Sequence, residues 1–174
     1  MTGELLKASA ERGFKQMMDA LEGVTQVQAW AVLPQGGPDY LHTDGSIHGI
    51  ALHAAGCKLV YGSIAFRGTE IRWRDAADRI EAFEPNWDGA MEFIRASHEY
   101  WMASWADVTD FEELRPTNYK EPWSAFRLID QMNHHDSYHA GQVAILRYAI
   151  GESDVPPPSS AEDIRKYCRD SVHW

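Results

Sequence analysis

Residues 133–142 read Asn133-His134-His135-Asp136-Ser137-Tyr138-His139-Ala140-Gly141-Gln142. His135 and His139 stand four residues apart, so on a helix both imidazoles lie on one face, within reach of a single metal ion. Leu128, Met132, Val143, Leu146 and Ile150 recur around them at helical spacing. On a helical wheel the pair falls inside this apolar stripe, and His134 falls well off it. Two polar rings turned into a core need partners, because a buried polar group left unsatisfied costs roughly 1–3 kcal/mol. One metal ion satisfies both rings; a buried hydrogen-bonded network is the alternative.

The same period extends outward. It predicts a long helix over residues 123–150, closed by Gly151. Upstream, Leu5, Leu6, Ala8, Phe14, Met17, Met18 and Leu21 give an apolar face to a helix over residues 4–21, which Gly23 stops. Residues 24–45, with Pro34, Gly36, Gly37, Pro38 and the turn Thr43-Asp44-Gly45, read as a long connection. Ser46 is placed to cap a helix reaching Phe66 and ending at Gly68, with Ile47, Ile50, Ala54, Cys57 and Tyr61 as its stripe. A short helix is expected over residues 76–83, and a long one over residues 87–105 with Met91, Ile94, His98, Trp101 and Met102 on one side. Residues 109–122 are a charged loop with two prolines. After Gly151, Pro156-Pro157-Pro158 stiffens a linker, and Ser160 would cap a terminal helix over residues 161–169. There is no repeat, no coiled-coil run and no strand pattern. The expectation is an all-α fold, one domain over residues 1–174 whose residues 152–174 form a C-terminal linker and short helix.

Composition narrows the function classes. The chain has 174 residues, 44% of them hydrophobic, enough for a sizeable core. Its 26 acidic residues against 16 basic ones give a net charge of −10. That balance disfavours nucleic-acid partners and anionic membrane surfaces. No uninterrupted apolar run has the length of a membrane span, and the N-terminus lacks a signal-sequence pattern, so the expected location is cytoplasmic. Cys57 and Cys168 are too few and too far apart for a disulfide framework.

Two imidazoles are an incomplete site, since an open catalytic centre takes three protein ligands. The helix after Ser46 offers His48 and His53. His53 borders the apolar stripe beside Cys57 and Ile64, whereas His48 points away, so His53 is the preferred third ligand. Cys57, one turn on, would replace or reinforce it, or be a buried structural thiol. Gln142, three residues after His139, is placed either to orient a ligand or water or to pack against a neighbour. Asp136 is placed to hold a ligand histidine from behind, or to face solvent or an interface. His42 and His98 have no ligand geometry and read as structural or exposed, and His173, near the C-terminus, is expected to be mobile. No Ser/His/Asp pattern, phosphate loop or CxxC motif is present.

The string His135-x-x-x-His139-x-Gly141-Gln142, continuing Val143-Ala144-Ile145-Leu146-Arg147, resembles the signature of the DinB/YfiT-like family, and Ser46-Ile47-x-x-Ile50-x-x-His53 resembles the head of that family's second helix. The resemblance is consistent with the whole chain length and rests mainly on the later motif. It implies a metal-binding four-helix bundle in up-down-down-up order, with His53, His135 and His139 as ligands, and a homodimer. Characterised members include transferases and isomerases in which the metal activates a low-molecular-weight thiol such as bacillithiol or mycothiol. Zinc or nickel suits three imidazoles best, with manganese or iron as further options. The expectation is therefore a divalent-metal-dependent enzyme acting on a small molecule, in the line of thiol-dependent S-transferases. A metal-dependent hydrolase is the sister reading. A stress-related binding protein with a structural metal is the reading from another class, and a fourth protein ligand would favour it.

Overall fold

A computed structural model of the protein describes residues 1–32, 43–151, 160–162 and 165. Among them the chain is built from α1 (Thr2–Leu21), α2 (Gln26–Trp30), α3 (Ile47–Phe66), α4 (Trp73–Ile80), α5 (Trp87–Ser104), β1 (Leu114–Arg115), β2 (Trp123–Ser124) and α6 (Ala125–Ile150). The fold is thus mostly helical, as the periodicity predicts. Most of the proposed C-terminal helix, together with Pro34, His42, Cys168 and His173, lies outside the described residues.

Side-chain caps begin α3, α5 and α6. Ser46 Oγ accepts the Gly49 N–H at 2.8 Å, and the Asp44 carboxylate accepts both the Ser46 N–H (2.9 Å) and its hydroxyl (2.7 Å). Asn86 caps α5 through the Gly89 N–H at 2.8 Å, and Ser124 caps α6 through the Arg127 N–H at 3.3 Å. This last cap moves the expected helix start from residue 123 to Ala125. Trp123 and Ser124 instead pair antiparallel with Arg115 and Leu114, a two-residue ladder with no alternation long enough to read in the sequence. The short helix starts at Trp73, three residues earlier than expected, because Asp75 accepts the Arg72 N–H at 2.8 Å and closes its first turn.

Helix α6 lies between α1 and α3, and α3 also packs on α5. At the α1–α6 contact, Asn133 Nδ2 donates to the Leu6 carbonyl at 2.9 Å. A Cβ on Gly13 would stand 2.6 Å from the Asn133 carbonyl, so glycine lets the two backbones meet. One core cluster gathers Met17, Leu21, Ile50, Leu52, Val60, Phe93 and Val143, and a second gathers Leu6, Cys57, Trp101, Ile129 and Met132.

Helix α3 is the central element: 17 of its 20 residues are buried. This corrects the one-sided stripe read from the sequence. His48 does not point away but is fully buried, its ring stacked on Trp30 at 4.3 Å. The cover is α2, which lies in the stretch read as connection. Five residues are too few to show a period, but Thr25 and Gln28 form a capping box that marks the start. Among the described residues α3 alone is long and apolar enough to cross a membrane, a property hidden from a search for uninterrupted runs. In the fold, 83% of its apolar window is buried inside the protein.

Candidate metal centre

His53 projects from α3, and His135 and His139 from α6. His53 and His139 are buried and His135 is half-buried. The Nε2 atoms converge: His53 to His135 is 3.3 Å, and His135 to His139 is 3.1 Å. One ligand nitrogen from each ring lies within 4.8 Å of both others. For metal–nitrogen bonds of about 2.0–2.1 Å, the edge of a tetrahedral site is about 3.3 Å. The two short separations fit that edge, so the cluster has the donor set and spacing to hold a divalent ion.

Gln142 sets the outer side of His139. Its Oε1 lies 2.6 Å from His139 Nδ1, and its Nε2 donates to the Tyr138 hydroxyl at 3.0 Å. With the amide oxygen facing Nδ1, the imidazole proton sits on Nδ1 and the Nε2 lone pair faces the cluster. A hydrogen bond on the far nitrogen fixes a ligand histidine's tautomer in this way. Gln142 thus contacts two neighbours on its own helix, His139 and Tyr138.

Cys57 Sγ lies 3.6 Å from His53 Nε2, but it does not join the set of mutually close ligand atoms. Burial pushes its thiol pKa well up, so it is a protonated neighbour to the cluster. Asp136 neither faces solvent nor is seen to hold one of the three histidines; it lies between α6 and α3. It is buried, and its carboxylate meets Lys58 Nζ at 2.6 Å. Lys58 also stands 3.2 Å from His98 Nδ1 and 4.5 Å from the centre of the Phe14 ring, on which His98 stacks at 3.8 Å. Burial, and then the Lys58 ammonium, push His98 down to about 3, so it is neutral. Burial pulls the Lys58 pKa down and the Asp136 pKa up, while each partner opposes the other's shift. This buried polar group is absent from the sequence reading. Its one sequence signal is a lysine inside the apolar run of residues 54–62.

Two cavities meet at the histidines. One, of about 350 Å³, is lined by His53, His135, Cys57, Gln131, Leu128, Met132, Asn118 and the rings of Tyr61, Trp73, Tyr119 and Trp123. The other, of about 370 Å³ and more open, is lined by His53, His135, His139, His134, Gln131 and Tyr138. The three histidines therefore border open space of small-molecule size. Comparisons of the chain with protein-family models, with curated proteins and with solved structures give no match.

Proposed function

We propose that His53, His135 and His139 hold one divalent transition-metal ion at the active centre of an enzyme that acts on small molecules. The observation that carries this reading is the convergence of three Nε2 atoms from two helices, at metal-ligand spacing, where two cavities meet. A structural staple would call for a fourth protein ligand. Cys57, the nearest candidate, stays outside the cluster, and the remaining side borders open space.

The donor set is three neutral imidazoles, so a bound ion would keep its full charge, polarise an oxygen or sulfur ligand and lower its pKa. The protein's own part is to orient and to exclude. Gln142 keeps the His139 lone pair aimed inward. The Lys58–Asp136 pair ties α3 to α6, the two helices that supply the ligands. The aromatic lobe removes a substrate from water beside the histidines.

The chemistry we favour is thiol-dependent S-transfer, with a low-molecular-weight thiol as second reactant; metal-dependent hydrolysis needs the same centre. Zinc or nickel is the preferred ion, ahead of manganese or iron. The motif in α6 and the order of the long helices support a four-helix bundle of DinB/YfiT-like, up-down-down-up type, and with it a cytoplasmic homodimer. Elemental analysis of untagged protein tests the core of the reading. About one transition metal per chain is expected in the wild type, and loss of it in His135→Ala/His139→Ala. Absence of metal from the wild type after reconstitution would leave the histidines as a buried hydrogen-bonded network and overturn the proposal.

A further inference from the structure

We infer that the aromatic lobe beside His53 and His135 is a binding chamber for an uncharged aromatic or aliphatic small molecule. The inference rests on the histidine cluster being the reactive end of the site, and it adds the class of molecule lying against that end. The lobe's volume of about 350 Å³ is within the range of small-molecule sites. Four rings wall it, and among the described residues the polar side chains that reach it are Cys57, Asn118, Gln131, the two phenols and the imidazoles of His53 and His135. Burial and the contact with Tyr119 push the Tyr61 pKa up, which keeps that phenol protonated.

Among the described residues no Asp, Glu, Lys or Arg lines the lobe, although 24% of the chain is charged. In the metal-free protein an ionised group drawn into this lining would leave water with no counter-charge among the described lining residues, a cost that neutral hydrogen bonds do not recover. Aromatic faces attract cations, but here one is already taken. Arg127 sits over the Trp123 ring, 3.9 Å from its centre. What remains favourable is stacking and apolar contact on Trp and Tyr surfaces.

The walls are also set in place before any ligand arrives. Tyr119 stacks on Trp123 at 4.8 Å, and Tyr61 Oη donates to Tyr119 Oη at 3.2 Å. Thr117 Oγ1 accepts the Tyr119 N–H at 2.9 Å and donates to the Glu121 carbonyl at 2.9 Å, holding the turn that carries Tyr119. A ligand therefore spends little of its binding free energy on ordering the chamber. The second, polar lobe shares His53, Gln131 and His135 with the first and leaves the other side of the centre for a co-reactant.

Three probes of one shape test this: benzyl alcohol, benzoate and benzylammonium. Binding to the full chain, stripped of metal by a chelator, is followed by calorimetry and by tryptophan fluorescence. Benzyl alcohol is expected to bind about tenfold or more tightly than either ion. Trp123→Ala should weaken it about threefold to tenfold, and so should Tyr119→Ala, whose residue is 54% exposed and leaves the core closed when removed. Equal or tighter binding of benzoate or benzylammonium overturns the inference, as does the absence of saturable binding into the millimolar range. Because these measurements are made without metal, failure of the metal reading leaves their result standing. Conversely, a protein that holds metal and prefers an ion keeps the metal reading and loses this one.

Discussion

Lys58→Met removes the ammonium from a pair that is 3% and 2% exposed, with Nζ and Oδ2 2.6 Å apart. At an effective dielectric constant of about 20, two unit charges at that distance attract by about 6 kcal/mol. Desolvation of both ions offsets most of this in the intact pair, so its net contribution is small. The asymmetry appears when one partner goes. Asp136 would then be a buried carboxylate with no counter-charge, and Lys58→Met is expected to lose about 3–5 kcal/mol of unfolding free energy. Asp136→Leu, which strands Lys58, should lose a similar amount. The double variant Lys58→Met/Asp136→Leu fills the same space with apolar atoms and should recover most of the loss. Urea unfolding of the four proteins, monitored by circular dichroism, gives the coupling energy directly. Because the pair joins α3 to α6, the single variants should also hold metal more weakly than the double variant. A double variant destabilised by the sum of the two singles would show independent side chains and refute the argument.

Three further outcomes follow from the same geometry. Gln142→Leu deletes the acceptor that holds the His139 proton on Nδ1, and chelator competition should show metal affinity reduced about 10- to 100-fold. Gly13→Ala forces a Cβ to within 2.6 Å of a backbone carbonyl and should lose about 1–3 kcal/mol, whereas Gly141→Ala, with no atom within 4 Å of its Cβ, should gain about 0.5–1 kcal/mol; thermal unfolding of both distinguishes close helix contact from general helix propensity. Burial pushes His48 down to about 3 from an ordinary value of 6.5, so below pH 6.5 the unfolded chain takes up a proton that the folded chain refuses until about pH 3. Stability is thus complete above 6.5 and falls with pH, and relative to His48→Asn the wild type should lose about 2 kcal/mol between pH 8 and pH 5; parallel pH profiles of the two would contradict the assignment of a neutral buried ring.

The local signals that one helix carries by itself were legible in the chain. The i, i+4 spacing of His135 and His139, the Ser46 cap and the Gly151 stop all depend on neighbours a turn away, and each appears where the sequence places it. The choice of His53 over His48 also came from one helical wheel, and the folded cluster contains His53. The reason offered for it was incomplete, because α3 is buried on nearly every side and His48 is as enclosed as His53. What separates the two histidines is which helix faces them: α6 faces His53, and Trp30 of α2 covers His48. That information belongs to packing between distant segments. The same holds for Lys58, Asp136 and His98, whose partners lie 78 and 40 residues from the lysine in sequence and meet only in the fold. The aromatic lobe draws Tyr61 and Trp73 from one part of the chain and Tyr119 and Trp123 from another. Periodicity reports which face of a helix is apolar, because that depends on a few residues in line; it carries no term for what comes to lie against that face. Hence the sequence alone determined the long helices and pointed to the three converging histidines, and tertiary structure decided what surrounds His53 and His48, the buried ion pair and the aromatic lobe.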